Sequence, residues 1–174
     1  MVDRGKNAEL GRVDRCILRE LQIDGSMSNA ALGEKAATSE SAATRHRHRL
    51  ERDGYIRRYA AIVDRELLGY ALTVFVEIGL KSQEEEASAA FERAVGEIGE
   101  VMECYAVAGE LDYLLRVNAR DAKDFEHVRH RLSGLAGVGH LRSHVVLHDV
   151  VTRNVLLPPP RSQSTVAQAS LRQL

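Results

Sequence analysis

The feature that most constrains the fold is a short basic helix that follows closely on another short helix. Residues 39–52 begin with small capping residues and then place four arginines and two histidines within about two helical turns. Residues 28–36 are predicted to form the helix before it, and the alternating residues 55–62 a strand after it. This order predicts a winged helix-turn-helix, which places its second helix in the major groove of DNA.

The charge distribution favours a nucleic-acid surface in this part of the chain. The net charge of the 174 residues is −1, yet residues 45–58 hold six arginines against only Glu51 and Asp53. A local basic patch on a nearly neutral protein is typical of a surface that binds DNA. The charge alone also fits the alternative of an ordinary solvated helix face.

Several protein classes are disfavoured by the sequence. No apolar run reaches the roughly 18–20 residues of a membrane span, and no apolar segment follows residues 1–7 as in a signal peptide. Cys16 and Cys104 lie far apart, each in an apolar run, which favours buried free thiols in a reducing cytoplasm. The sequence has no nucleotide-binding, zinc or redox motif, so we expect no cofactor. The free thiols and the basic patch favour a cytoplasmic, nucleoid-associated protein.

Hydrophobic periodicity divides the chain into two domains. Apolar residues at helical spacing in residues 10–22 predict a first helix, so residues 1–63 form the helix-turn-helix domain and residues 64–70 a linker. The second half alternates strands with amphipathic helices, at residues 72–80, 84–98, 101–108, 113–117, 122–132 and 141–151. The order β-α-β-β-α-β predicts a ferredoxin-like unit over residues 71–157, and the fold class is α+β.

Both helices of such a unit lie on one face of the sheet, so the other face needs a cover. Alternate apolar residues such as Val74, Val76 and Val146 are expected on that other face, and they predict a dimer interface. Residues 155–157 are expected to add a short edge strand, and residues 158–174 to form a flexible tail rich in Pro, Ser and Gln.

Three sequence blocks, in a fixed order, carry a family resemblance. They are residues 13–25 (VDRCILRELQIDG), 49–56 (RLERDGYI) and 109–115 (GELDYLL). Through them the chain resembles the Lrp/AsnC, or feast/famine, family over about residues 10–157. The resemblance implies a DNA-binding regulator with a hinge strand and an amino-acid-sensing (RAM) domain. It implies as partners double-stranded DNA, an amino acid or related small effector, and further copies in a homodimer that assembles to an octamer.

The chain departs from the family pattern at two places. Ala37 and Thr38 form the turn where the family usually has Gly-Leu, and Arg47 stands where it usually has an aliphatic residue. Arg47 falls on the inward stripe of its helix with Ala43 and Leu50, so we expect its stem to pack while its guanidinium reaches solvent. A sensor that has lost DNA binding is therefore an alternative.

The outward side of the basic helix supplies the candidate DNA contacts. Arginine bonds guanine through two hydrogen bonds, and hydroxyls bond bases or phosphates. The residues expected near base edges are Ser41, Thr44, Arg45 and His48. The residues expected to hold phosphates are Arg49, Arg52, Arg57 and Arg58. Arg49 is also a structural candidate, because it neighbours Leu50 and is expected to reach Glu20 or Glu51.

The turn at 109–112 supplies the candidate effector site. Gly109 permits a tight turn with exposed amides for a carboxylate, and Glu110 and Asp112 offer carboxylates for an ammonium group. The residues expected to line a side-chain pocket at the dimer interface are Val107, Leu111 and Tyr113. The resemblance adds three residues of the last strand, His140, Arg142 and Ser143. A plain hairpin turn with an acidic surface is the alternative.

The rival function is enzymatic. Siroheme decarboxylases resemble the same family, helix-turn-helix included, and bind tetrapyrrole carboxylates through histidine and arginine. The residues of suitable type here are His127, His130, His140, His144, Arg129 and Arg142. We favour the regulator, without catalytic residues, because the basic helix and the turn at 109–115 are typical of regulators.

A metal site is not predicted from the histidines. His140, His144 and His148 share a strand face but span about 13 Å end to end, which is too far for one ion. His127 and His130 lie one helical turn apart and would need further ligands to hold a metal.

Overall fold

The computed structural model describes residues 10–82 and 84–156, which form two compact units. Among the described residues, the first unit contains 10–61 together with 151–156, and the second contains 62–150. None of the helices in these described ranges is long and apolar enough to cross a membrane.

The predicted domain limits can be compared with these units. The predicted limit at residue 63 lies close to the division after residue 61. Residues 151–156, predicted within the sensing domain, group with the first unit instead. The tail predicted over 158–174 lies outside the described residues.

Three helices form the first unit: α1 (Arg12–Ile23), α2 (Asn29–Ala36) and α3 (Glu40–Arg52). Serine side chains cap the N-termini of α2 and α3. Ser28 Oγ accepts the N–H of Ala31 at 3.2 Å. Ser39 Oγ accepts the N–H of Ala42 at 3.2 Å in the same way. The buried apolar core is Ile17, Leu21, Leu32, Ala36, Ala43 and Leu50. The predicted helix-turn-helix is confirmed.

The turn between α2 and α3 is unusually tight for its sequence. Ala37 adopts a left-handed conformation with φ +52°, which a side chain disfavours. The Thr38 N–H donates to the Gly33 carbonyl at 2.8 Å, and a Cβ at Gly33 would lie 3.0 Å from the Thr38 carbonyl oxygen. Gly33 thus lets the two helices approach, and Ala37 makes the left-handed turn under strain.

Replacing Ala37 with glycine should stabilise the first unit. Relief of the left-handed strain gains roughly 1–2 kcal/mol, and the added freedom of glycine in the unfolded chain offsets roughly 0.4–1 kcal/mol. We expect the free energy of unfolding to rise by about 0.5–1 kcal/mol, measured by urea denaturation. A fall in that free energy would contradict the strain assigned to this turn.

The strand predicted at residues 55–62 is wrong. These residues form no strand, because the described part of the first unit is otherwise helical and irregular and offers no strand for them to pair with. The segment is anchored to α3 instead, beginning with the Ile56 N–H, which donates to the Leu50 carbonyl at 3.1 Å. A single chain therefore shows the helix-turn-helix without a wing strand.

Residues 151–156 return to α1 without forming a strand, so the edge strand expected from residue 155 is wrong for its described part. The side-chain amide of Gln22 holds the backbone of Leu156 on both sides. Gln22 Nε2 donates to the Leu156 carbonyl at 3.1 Å, and the Leu156 N–H donates to Gln22 Oε1 at 2.7 Å. This pairing attaches the segment to the first unit.

The second unit is a four-stranded antiparallel sheet with two helices. Its elements are β1 (Leu72–Leu80), α4 (Glu85–Gly96), β2 (Val101–Ala106), β3 (Tyr113–Ala119), α5 (Ala122–Ser133) and β4 (Val138–Val145). The strand order is β2-β3-β1-β4, so the predicted ferredoxin-like unit and the α+β class are confirmed. β4 begins and ends earlier than the predicted strand at 141–151.

The prediction for the two sheet faces is wrong in part. Val74 and Val76 are fully buried in the core with Phe91 of α4 and Leu132 of α5, so they lie on the helix-covered face. Strand alternation places the neighbouring side chains on the other face. That open face is largely polar. It carries Phe75 but also ion pairs of Glu103 with Arg116 at 2.8 Å and of Glu77 with His144 at 3.1 Å.

Candidate nucleic-acid interface and effector region

The outer face of α3, defined as Ser41, Thr44, Arg45, His48 and Arg52, presents polar side chains at helical spacing. Ser41, Arg45, His48 and Arg52 are exposed. In the part of the chain that the structure describes, no hydrogen bond or ion pair occupies Arg45 or His48. Thr44 is half-buried, and its hydroxyl donates to the Glu40 carbonyl at 2.9 Å. The middle of the helix therefore offers an exposed arginine and an exposed histidine on this face.

Further cations flank the outer face of α3. Arg52 is exposed and pairs with Asp53 at 3.1 Å. Arg57 and Arg58 are exposed on the extended segment that follows the helix. A solvent-exposed ion pair exchanges easily, because it contributes little free energy. The three arginines can therefore still meet phosphates.

Arg49 lies on a different side of α3, against α1. Its guanidinium forms an ion pair with Asp14, not with Glu20 or Glu51 as the sequence suggested. Glu20 pairs with its neighbour Arg19 at 2.6 Å. The charge of Arg49 is thus matched within the unit, and its contact with a phosphate stays a prediction.

The carboxylate of Asp14 accepts hydrogen bonds from three donors, although only 2% of the residue's surface is exposed. His46 Nδ1 lies 2.7 Å from Asp14 Oδ1, and the Gly11 N–H donates to Oδ2 at 2.9 Å. Burial alone would raise the pKa of Asp14, but the hydrogen bonds from Arg49, His46 and Gly11 outweigh it and lower the pKa. Asp14 therefore stays ionised between α1 and α3.

Acid should weaken the first unit through Asp14. A carboxyl whose pKa falls on folding stabilises the folded state above its ordinary pKa of about 4. This stabilisation is lost as the pH falls through the lowered pKa. We expect the difference in unfolding free energy between the unaltered chain and Asp14→Asn to shrink as the pH falls from about 5 to about 2. Urea denaturation at a series of pH values measures it, and a constant difference would contradict the assignment.

The guanidinium of Arg47 is bonded within the unit, while 21% of the side chain stays exposed. It donates to Tyr59 Oη at 3.0 Å, to Glu51 at 3.2 Å and to the Met27 carbonyl at 3.3 Å. Its guanidinium also lies 4.8 Å from the centre of the Tyr59 ring. The Tyr59 hydroxyl donates to Glu51 at 2.8 Å and lowers the pKa of that carboxyl. Arg47 thus fastens the segment that carries Arg57 onto α3.

The turn between β2 and β3 is the predicted hairpin turn. Gly109 has φ +140°, a conformation that other residues rarely adopt. The Val107 N–H donates to the Asp112 carbonyl at 3.0 Å, and Asp112 Oδ2 accepts the Leu80 N–H at 2.7 Å. Glu110 is exposed. Asp112 therefore fixes the turn to the end of β1, and Glu110 presents the exposed acid of the turn.

Tyr113 belongs to the core at the start of β3. It is 5% exposed, its ring centre lies 4.6 Å from that of Phe91, and its hydroxyl donates to Glu92 at 3.0 Å. It also lines a pocket of about 370 Å³ between α4 and β2. Val107 and Leu111, expected beside Tyr113, do not line this pocket.

The pocket contains residues that the sequence reasoning missed. Besides Tyr113 its lining includes Glu92, Val95, Met102, Cys104 and Ala106. Cys104 is exposed, so the expectation of a buried thiol is wrong for this residue. Partial burial of its sulfur in the pocket and the charge of Glu92 still raise the pKa of the thiol. The missed signal was the half-apolar pattern of 101–106, which is typical of an edge strand.

The three candidate residues of β4 do not come together. His140 and Arg142 lie on the open face, where Arg142 is 3.6 Å from Glu77 and the His140 ring covers Gly79. Ser143 lies on the opposite face, beside Val76 in register, and its buried hydroxyl has no hydrogen-bond partner among the described residues. Strand alternation separates them. Among the described residues, no three or more His, Cys, Asp and Glu side chains are grouped so that they could hold a metal ion.

Comparison with known proteins covers both units. The AsnC-type helix-turn-helix domain matches residues 10–51, and the Lrp/AsnC ligand binding domain matches residues 73–156. The leucine-responsive regulatory proteins of Escherichia coli and Serratia marcescens are each 36% identical over 160 residues, which cover 90% of this chain and 98% of theirs.

Solved structures of regulators resemble the chain as well. A transcriptional regulator of Neisseria meningitidis in complex with L-methionine has a TM-score of 0.81 at 32% identity, over 85% of this chain and 96% of that one. An AsnC family regulator of Agrobacterium tumefaciens has a TM-score of 0.80 at 32% identity, over 85% and 96%. A feast or famine regulatory protein of M. tuberculosis complexed with L-methionine has a TM-score of 0.76 at 33% identity, over 86% and 100%. With its helix-turn-helix and ligand-binding domain, the chain belongs to the Lrp/AsnC family of transcription regulators.

Proposed function

We propose that the chain binds specific DNA sequences through the outer face of α3 and that an amino acid or related metabolite controls this binding. The observation that supports this proposal most is the contrast between the two sides of α3. On the inward sides, Arg47 and Arg49 are paired within the unit. On the outer face, Arg45 and His48 are exposed. A capped helix with an exposed arginine and an exposed histidine on one side suits a DNA groove.

The candidate contacts divide by the information they carry. Arg45 is assigned to a guanine through two hydrogen bonds, with Ser41, Thr44 and His48 close to base edges. Arg52, Arg57 and Arg58 are assigned to phosphates, which fix the register of the protein without reading sequence. A phosphate contact of Arg49 would compete with its ion pair with Asp14. The alternative that DNA binding has been lost is disfavoured. Arg47 is paired within the unit, and Arg45 and His48 on the outer face of α3 remain exposed.

The effector is assigned to the turn at 107–112. Its backbone amides suit a carboxylate and Glu110 suits an ammonium group, which together match an amino acid. The matched ligand-binding domain and the two related structures that hold L-methionine support this class. From the family resemblance we also expect a homodimer that assembles to an octamer. The protein is expected to act in the cytoplasm, at the nucleoid.

The experiment that tests the proposal is fluorescence anisotropy on DNA from upstream of the chain's own gene. It uses two salt concentrations, with and without a mixture of the twenty amino acids. We expect tight binding that weakens steeply with salt, because arginines displace counterions from phosphates. We also expect the amino acids to shift the affinity. No binding to this DNA or to genomic fragments at low salt would overturn the proposal.

A further inference from the structure

One buried carboxylate joins the first turn of α1 to two positions of α3. Asp14 Oδ1 meets His46 Nδ1 at 2.7 Å and the guanidinium of Arg49, while Oδ2 accepts the Gly11 N–H at 2.9 Å. His46 and Arg49 lie one helical turn apart on the same side of α3. Asp14 thereby contacts α3 at two points along its axis and one end of α1 at a third.

Such a contact restrains orientation in a way that the apolar core does not. Ile17, Leu50 and Ala43 hold α3 by close packing, which is non-directional and prescribes no donor or acceptor positions. A buried carboxylate is different, because its ionised oxygens cost free energy unless the donors keep their positions. Rotation or sliding of α3 would break these hydrogen bonds. The Asp14 contact is therefore the directional part of the α1–α3 packing.

The orientation of α3 matters more for base contacts than for phosphate contacts. Arg45 and His48 are the chain neighbours of His46 and Arg49, so any turn of the helix moves both sets together. A two-hydrogen-bond contact with a base edge needs close placement. A flexible arginine can still reach a phosphate after a small shift, since phosphate contacts carry no sequence information.

We propose that Asp14 is a positioning residue for DNA reading, which sets the orientation of α3 through His46 and Arg49. The inference rests on the proposed function, since it concerns the same helix. Loss of the Asp14 contact should lower the discrimination between DNA sequences and leave general affinity for DNA in place.

The test begins with selection of duplexes from a random-sequence library by the unaltered chain. Dissociation constants are then measured for one selected duplex and its scrambled counterpart, across a range of salt concentrations. The variants are Asp14→Asn and, as a matched control, Glu20→Gln. Glu20 is also a buried acid of α1, 7% exposed, but its ion pair is with Arg19. A second pair of variants alters His46. His46→Leu removes the hydrogen-bond donor to Asp14, and His46→Asn keeps a side-chain N–H donor near the position of Nδ1.

We expect Asp14→Asn and His46→Leu to lower the ratio of selected to scrambled affinity by about tenfold, the worth of one base contact. The scrambled affinity and the slope of log affinity against log salt should stay unchanged, because phosphate contacts set both. Glu20→Gln and His46→Asn should keep the ratio of the unaltered chain.

Three results would overturn the proposal. The first is an unchanged ratio in Asp14→Asn while circular dichroism shows a folded chain. The second, which decides the matter if Asp14→Asn unfolds, is an equal ratio in His46→Leu and His46→Asn. The third is an equal loss of affinity for the selected and the scrambled duplex in Asp14→Asn or His46→Leu. If the unaltered chain selects no sequence, the proposed function itself fails and this inference falls with it.

Discussion

Arg45→Glu is expected to lower the affinity for DNA by on the order of a hundredfold, through a lost base contact and an added repulsion of phosphates. The residue is exposed on the outer face of α3. Because no described residue bonds its guanidinium, the substitution leaves the unit without a broken contact. The expected unfolding free energy is therefore unchanged within about 0.5 kcal/mol. Anisotropy titration at one fixed salt concentration measures the affinity.

Arg129→Glu is the matched control for this substitution. Arg129 is an exposed arginine of α5 in the second unit, so the change in net charge is the same. Since the DNA contacts are assigned to α3, Arg129→Glu should change the affinity by less than about threefold, as expected of a charge that contacts no phosphate. Equal losses in the two variants would mean that net charge, rather than the α3 surface, governs binding.

Phe91→Ala is expected to lower the unfolding free energy of the second unit by about 3–5 kcal/mol. Phe91 has no exposed surface, and its ring packs against that of Tyr113 at 4.6 Å between centres. The truncation leaves a cavity between α4 and the sheet that neighbouring strands cannot fill. Urea denaturation followed by circular dichroism measures the loss.

An exposed residue of the same unit provides the comparison for Phe91. Leu67 is 86% exposed, so Leu67→Ala should cost no more than about 0.5 kcal/mol. A similar loss in both variants would contradict the assignment of Phe91 to the core.

Local sequence signals predicted the elements that form from neighbouring residues. Ser28 and Ser39 indicated the starts of α2 and α3, and both cap as expected. β-branched alternation predicted β1 at its observed bounds. The second unit could be assigned its topology because strand and helix periods alternate clearly along residues 72–145.

Long-range geometry was not predictable in the same way. The partner of Arg49 is Asp14, on a helix whose crossing with α3 no local pattern encodes. The strand at 55–62 was predicted from alternation alone, but a strand also needs a neighbour with free backbone groups. Val74 and Val76 were assigned to the wrong face, because alternation shows that two faces exist but not which one the helices cover.

The candidate effector residues show the same limit. The turn at Gly109 could be predicted, since glycine marks a backbone that other residues rarely adopt. Ser143 was grouped with Arg142 by the family resemblance, yet adjacent residues of a strand point to opposite faces. A site built from more than one copy of the chain cannot be assembled from one sequence by local patterns.

The central claim, that α3 reads DNA sequence through its outer face, is tested most directly by duplex selection with two proteins. The unaltered chain and Arg45→Ala are each used to enrich sequences from the same random library. We predict a two-fold symmetric motif with a fixed guanine for the unaltered chain, and loss of preference at that guanine alone for Arg45→Ala. An identical motif from both proteins, or no motif from the unaltered chain, would contradict the claim.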